Sequence, residues 1–172
     1  MTMSMYQASV PVFIHMLESL SGILDKAAAH AETKKFDPSV LINSRLAPDM
    51  QPFSFQIQMA TGMAKGCVAK LAGIDEPSLS DKLTTFPELK ERVTKTLEFL
   101  KSVKPAQVDG SEARGIHLNL GHGLEVDFKG QAYLLHFAMP NVFFHVTTAY
   151  ALLRHNGVDL GKRDYIGRFI TE

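Results

Sequence analysis

The sequence predicts a mainly α protein, a four-helix bundle with a small antiparallel β insertion before its last helix. Three observations predict it. Three long stretches carry apolar residues at helical spacing, a stretch at about 113–138 switches to a period of two, and a fourth helical stripe follows. Repeats, low-complexity tracts and long charge blocks are absent, so residues 1–172 read as a single domain.

The first stripe is Val10, Phe13, Ile14, Leu17, Leu20, Leu24 and Ala28, with His15, Glu18, Asp25, Lys26 and Glu32 mostly on the other side. Pro11 lacks an N–H and clashes one turn back, so the helix either begins close to Ser9 or is kinked there. Asp37-Pro38 reads as a cap followed by proline at the first helical position, opening a short helix to about Leu46. Pro48 and Pro52 bracket a connection. A long helix then runs to Leu71 through Phe55, Met59, Met63 and Cys67 or Val68, with Gly73 as its stop. Gly62 and Gly66, four apart within it, predict a close crossing by another helix.

Thr85-Phe86-Pro87-Glu88 fits a capping box. Leu89, Val93, Leu97, Leu100 and Val103 continue from it as a third helix. Ile116, Leu118 and Leu120 then alternate with polar residues, as do Leu124, Val126 and Phe128, with Gly121-His122-Gly123 as the turn between. Lys129-Gly130 reads as a second tight turn, and Tyr133, Leu135 and Phe137 as a possible third strand. Pro140 ends the strands and begins the last helix, which carries Val142, Phe143, Val146, Ala149, Tyr150 and Leu153 and stops at His155-Asn156-Gly157.

Composition excludes several classes. Eighteen basic and 18 acidic residues leave no net charge, which argues against a protein that grips nucleic-acid backbones. One cysteine, Cys67, excludes an internal disulfide framework and a cysteine metal cluster. The N-terminus makes a poor signal peptide, and no window holds the ~18 uninterrupted apolar residues of a spanning helix. The expectation is a cytoplasmic protein bound neither to nucleic acid nor to membrane.

The segment from Pro140-Asn141-Val142-Phe143-Phe144-His145 through Arg154-His155-Asn156-Gly157-Val158 resembles a family of uncharacterised bacterial proteins related to the DinB/YfiT-like four-helix bundles. Leu160 to Gly167 and Tyr6 to Ala27 extend the resemblance over essentially the whole chain. It implies an up-down-down-up bundle, commonly a homodimer, in a superfamily that contains metal-dependent enzymes, some of them thiol transferases. The superfamily's metal site takes one histidine from the second bundle helix and two, four residues apart, from the last.

This chain departs from that pattern. With Arg154 matched to the arginine that follows the second ligand, the ligand positions fall on Leu153 and Ala149. His145 lies one turn earlier, without a second histidine three or four residues away. The second bundle helix has Gln56 and Gln58 near its start and no histidine. The expectation is a lost metal site, with no cofactor.

His145 is then either a buried imidazole satisfied by a neighbouring helix or an acid/base or ligand-orienting group, its ordinary pKa near 6.5 suiting proton transfer. Gln56 or Gln58 faces it across the bundle in either case. A small-molecule pocket would be lined by Met59, Met63, Phe144 and Tyr150, with Arg154 nearby. His15 and Glu18 read as a solvated surface pair, and His30 as exposed. His117 and His136 read as neighbours if their strands pair. Cys67 is expected in the core, and Arg154, Lys162 and Arg163 near a helix end, with Asp164 pairing locally with one of them. The functional expectations are a small-molecule-binding or vestigial enzyme, a homo-oligomeric interaction module, or a transferase or hydrolase with a rearranged metal site.

Overall fold

Helix α1 (Met5–Lys34) opens on a reciprocal cap: Ser4 Oγ accepts from the Gln7 backbone N–H at 3.3 Å, and Gln7 Oε1 accepts from the Ser4 N–H at 3.1 Å. It is the first element of the computed structural model, which describes residues 3–169 and 171. The helix begins at Met5 and not near Ser9, with Pro11 inside it on the exposed side. The carbonyl left without its N–H partner belongs to Gln7, itself an exposed residue, where solvent access removes the cost of the missing bond.

Asp37 does cap the next turn, its Oδ1 accepting from Ser39 N–H at 2.8 Å, but α2 spans only Ser39–Ile42. The Asn43 side chain takes the Ser39 carbonyl at 2.9 Å and stops the helix well before Leu46. Helix α3 (Phe53–Ala72) ends where Gly73 adopts φ +66°. Helix α4 (Phe86–Ser102) starts on the expected box, with Glu88 Oε2 accepting from Thr84 N–H at 2.8 Å and Thr85 N–H at 3.0 Å.

Gly62 and Gly66 do not mark a helix crossing. A side chain at Gly62 would meet nothing, and one at Gly66 would meet the Glu76 carboxylate at 3.1 Å. Gly66 makes room for the returning loop, whose Glu76 pairs with Lys65 at 2.9 Å.

After the short α5 (Pro105–Val108), β1 (Gly115–Asn119) pairs antiparallel with β2 (Glu125–Lys129), with Ile116 opposite Phe128 and Leu118 opposite Val126. The Gly121-His122-Gly123 turn has positive φ at all three residues, 82°, 51° and 78°. The third strand is corrected: residues after Lys129 are helical. Helix α6 (Gly130–Tyr133) runs through a wide π turn at Leu134–Ala138 into α7 (Met139–His155). Tyr133, Leu134 and Ala138 are buried and Leu135 is exposed, which is helical spacing. Pro140 does stand in the first turn of α7, but it follows helix and not strand. The preceding turn is widened, with the Met139 N–H reaching Leu134 O, which relieves the clash of a proline ring within a helix. Gly130 is likewise no tight turn: a Cβ there would fall on the Ser111 carbonyl oxygen.

The four long helices form an up-down-down-up bundle. α1 packs on α4 and α7, and α3 packs on α7 and α4. Phe13, Leu17, Leu20, Phe53, Ile57, Leu89 and Leu152 fill the middle. A last short helix, α8 (Lys162–Ile166), lies back on α1. Among the described residues no helix is long and apolar enough to cross a membrane.

Candidate functional site

The first turn of α3 places Gln56 beside α7. Pro52 enters in extended conformation and the Phe53 N–H is held by Ser44 O at 2.9 Å, which fixes the helix start. The Gln56 amide Nε2 donates to Gln51 O at 3.0 Å, so its Oε1 is turned to the bundle. His145 Nδ1–H donates to that oxygen at 2.8 Å. Both side chains are buried, at 2% and 8% exposure.

The geometry decides the tautomer. An amide oxygen only accepts, so Nδ1 carries the proton and Nε2 keeps its lone pair. Burial holds the His145 imidazole below its ordinary 6.5, which keeps it neutral at physiological pH. Phe144 and Phe55 meet its ring edge-on, with centroids at 5.2 and 6.5 Å. Nε2 makes no hydrogen bond among the described residues and is not among the fully buried atoms lacking a partner. The arrangement presents one oriented, neutral acceptor on an imidazole flanked by two aromatic rings.

Of the other sequence-predicted residues, Phe144 joins His145, whereas Gln58, Tyr150 and Arg154 take partners elsewhere. Gln58 turns away and donates to Asp81 Oδ1 at 2.9 Å. Met59 and Met63 are half-buried, and Phe144 is 56% exposed. Tyr150 meets Tyr165 edge-on at 6.3 Å, and Arg154 donates to Val158 O at 3.5 Å past the end of α7.

A metal does not fit this donor set. One imidazole and one amide oxygen meet at His145, and Ala149, one turn on, has no donor. A zinc site takes three or four convergent ligands. Among the described residues no three His, Cys, Asp or Glu side chains gather into such a group. His117 meets Asp127 at 2.9 Å on the exposed face of the hairpin, whereas His136 stands on the π turn and not on a paired strand. Cys67 is fully buried, and burial pushes its thiol up to about 12, the opposite of an activated nucleophile.

Sequence reasoning missed a second polar cluster. Arg92, 7% exposed, donates from Nε to Thr61 Oγ1 at 2.8 Å and from Nη1 to Ser80 O at 2.7 Å and Asp81 Oδ1 at 3.2 Å. Lys65, also 7% exposed, donates to Pro77 O at 2.6 Å. Together they tie the loop between α3 and α4 to the bundle. The signal was present: Arg92 sits on the apolar stripe beside Leu89 and Val93. His15 does not pair with Glu18. Its Nε2–H donates to Ile166 O at 2.6 Å, and Glu18 takes Lys101 at 2.9 Å. Asp164 pairs not with its neighbouring cations but with Lys26 on α1, at 2.7 Å.

An up-down-down-up four-helix bundle with a small hairpin before its last long helix is a DinB-like architecture. The chain belongs to the family of a domain of unknown function, DUF1993, whose model matches residues 5–166. It is similar to a DinB family member protein from Shewanella denitrificans. That crystal structure matches with a TM-score of 0.86 at 39% sequence identity, over 97% of this chain and 94% of that one. No curated protein matches.

Proposed function

We propose that this chain is a small-molecule-binding or vestigial-enzyme member of the DinB-like superfamily that has lost the three-histidine metal site. One observation carries the reading: the Gln51–Gln56–His145 chain of hydrogen bonds holds a neutral imidazole with Nε2 unbonded among the described residues. A ligand N–H, O–H or S–H would donate to Nε2, with its apolar part against Phe55 and Phe144. The lone unpaired cysteine supports a cytoplasmic setting. Thermal-shift screening of metabolites and low-molecular-weight thiols, on wild type and His145→Phe, tests the reading. A compound that raises the wild-type Tm and not the variant's is expected. No shift across a broad library overturns it, and stoichiometric zinc in untagged protein overturns the lost metal site.

A second reading, a homodimer, is favoured by the hairpin tip, where Leu120 and Leu124 are 41% and 56% exposed. A clean monomer by light scattering at high micromolar concentration sinks it.

A further inference from the structure

The C-terminal segment is fastened over α1 by three contacts: the His15–Ile166 hydrogen bond, the Lys26–Asp164 ion pair, and Glu18 with Arg168 at 3.8 Å. Gly167 makes the approach possible. At φ +72° it turns the chain where a Cβ would collide with Ser19 Oγ. The segment does not seal against the helix, but leaves an open cleft of ≈ 430 Å³.

Two features of this cleft point to a ligand. Lys26, Arg163 and Arg168 line it against only two acids, Glu18 and Asp164. Both acids are already bound to other cations there, while Arg163 has no ion pair among the described residues. The second feature is Gly22, in the interior of a 30-residue helix. Glycine weakens a helix interior, and here a side chain would meet nothing within 4 Å. No neighbouring chain requires the glycine. Its effect is to leave the side of the cleft open beneath the cations.

We propose that the cleft between α1 and the C-terminal segment binds a small oxyanion, a carboxylate or a phosphate, on the guanidinium of Arg163, the cleft cation that no acid pairs among the described residues. A guanidinium presents paired N–H donors that match two oxygens of such a group. The cleft shares no residue with the His145–Gln56 pair, so the two readings stand or fail separately.

The test is an amide NMR titration of the full chain with inorganic phosphate and, separately, with succinate, each against sodium chloride at matched ionic strength. Saturable shifts at Gly22 and Gly167 are expected with at least one of the two, and the one that saturates assigns the source. Gly22→Leu fills the cleft without touching the core, and Arg163→Gln removes an exposed charge. Both are expected to keep the wild-type fold by circular dichroism and to weaken binding by about tenfold or more. Shifts no larger than those with chloride, or full affinity in either variant, overturn the proposal.

Discussion

His145 donates its Nδ1–H to Gln56 Oε1 over 2.8 Å, joining residues 89 apart in the chain. The bond ties the last long helix to the first turn of the second, the two helices from which the superfamily's metal site draws its ligands. An imidazole there meets an amide where a metal would need further imidazoles. The pair is therefore read as a stabilising contact first and a ligand acceptor second.

Gln56→Leu leaves a buried imidazole N–H without its acceptor and is expected to destabilise by about 1–3 kcal/mol in urea unfolding. The double variant with His145→Leu should lose less than the sum of the two single variants, because removing both polar groups leaves neither unsatisfied.

The same residue sets a pH dependence. Folded His145 titrates below 6.5 because burial disfavours its charged form. As pH falls through about 6.5 the unfolded chain takes up this proton first, so stability declines towards the lower folded pKa and then levels. Unfolding free energies measured from pH 7.5 to 5 should show this decline, and His145→Phe should flatten it.

The cap of α4 acts in a different window. Hydrogen bonds from Thr84 and then Thr85 hold the Glu88 carboxyl down at about 2, against an ordinary 4.5. Its contribution is complete above 4.5 and is lost as pH falls towards 2, a loss Glu88→Gln should not show. Thr85→Ala removes the partner cap and is expected to lower stability by about 1 kcal/mol at neutral pH.

Gly130→Ala is expected to destabilise by about 1–3 kcal/mol, because its Cβ would occupy the position of the Ser111 carbonyl oxygen and neither backbone can yield without distorting the strand-to-helix junction. Gly22→Ala is the contrast. Its Cβ meets open space, and the expected change is a gain of up to about 1 kcal/mol. Melting curves of the two variants moving in the same direction would contradict this account.

Arg92→Met should release the loop between α3 and α4, since Arg92 holds both Ser80 and Asp81. Limited proteolysis is expected to cut between residues 74 and 84 in this variant. Asp81→Asn should resist as wild type does, because Asp81 is 71% exposed and the carbonyl of Ser80 still anchors the loop.

The sequence by itself determined the parts of this protein that rest on local spacing. Four apolar stripes at helical period, the Thr85–Glu88 box, the Gly73 stop and the Gly121-His122-Gly123 turn all depend on residues within one or two turns of each other. The shortage of paired histidines was legible for the same reason, since two ligands on one helix must stand three or four apart. Short runs misled where two periods fit the same letters. Tyr133, Leu135 and Phe137 alternate like a strand, yet Tyr133, Leu134, Phe137 and Ala138 also trace a helix face, and the chain packs them that way. Only the tertiary structure decided which partners meet. Gln56 and Gln58 are two residues apart, about 200° around a helix, so just one could face His145, and the rotation of α3 against α7 selects Gln56. Which carboxylate fills the space at Gly66, and which cation takes Asp164, are likewise set by how distant segments pack, a choice that no local pattern of residues encodes.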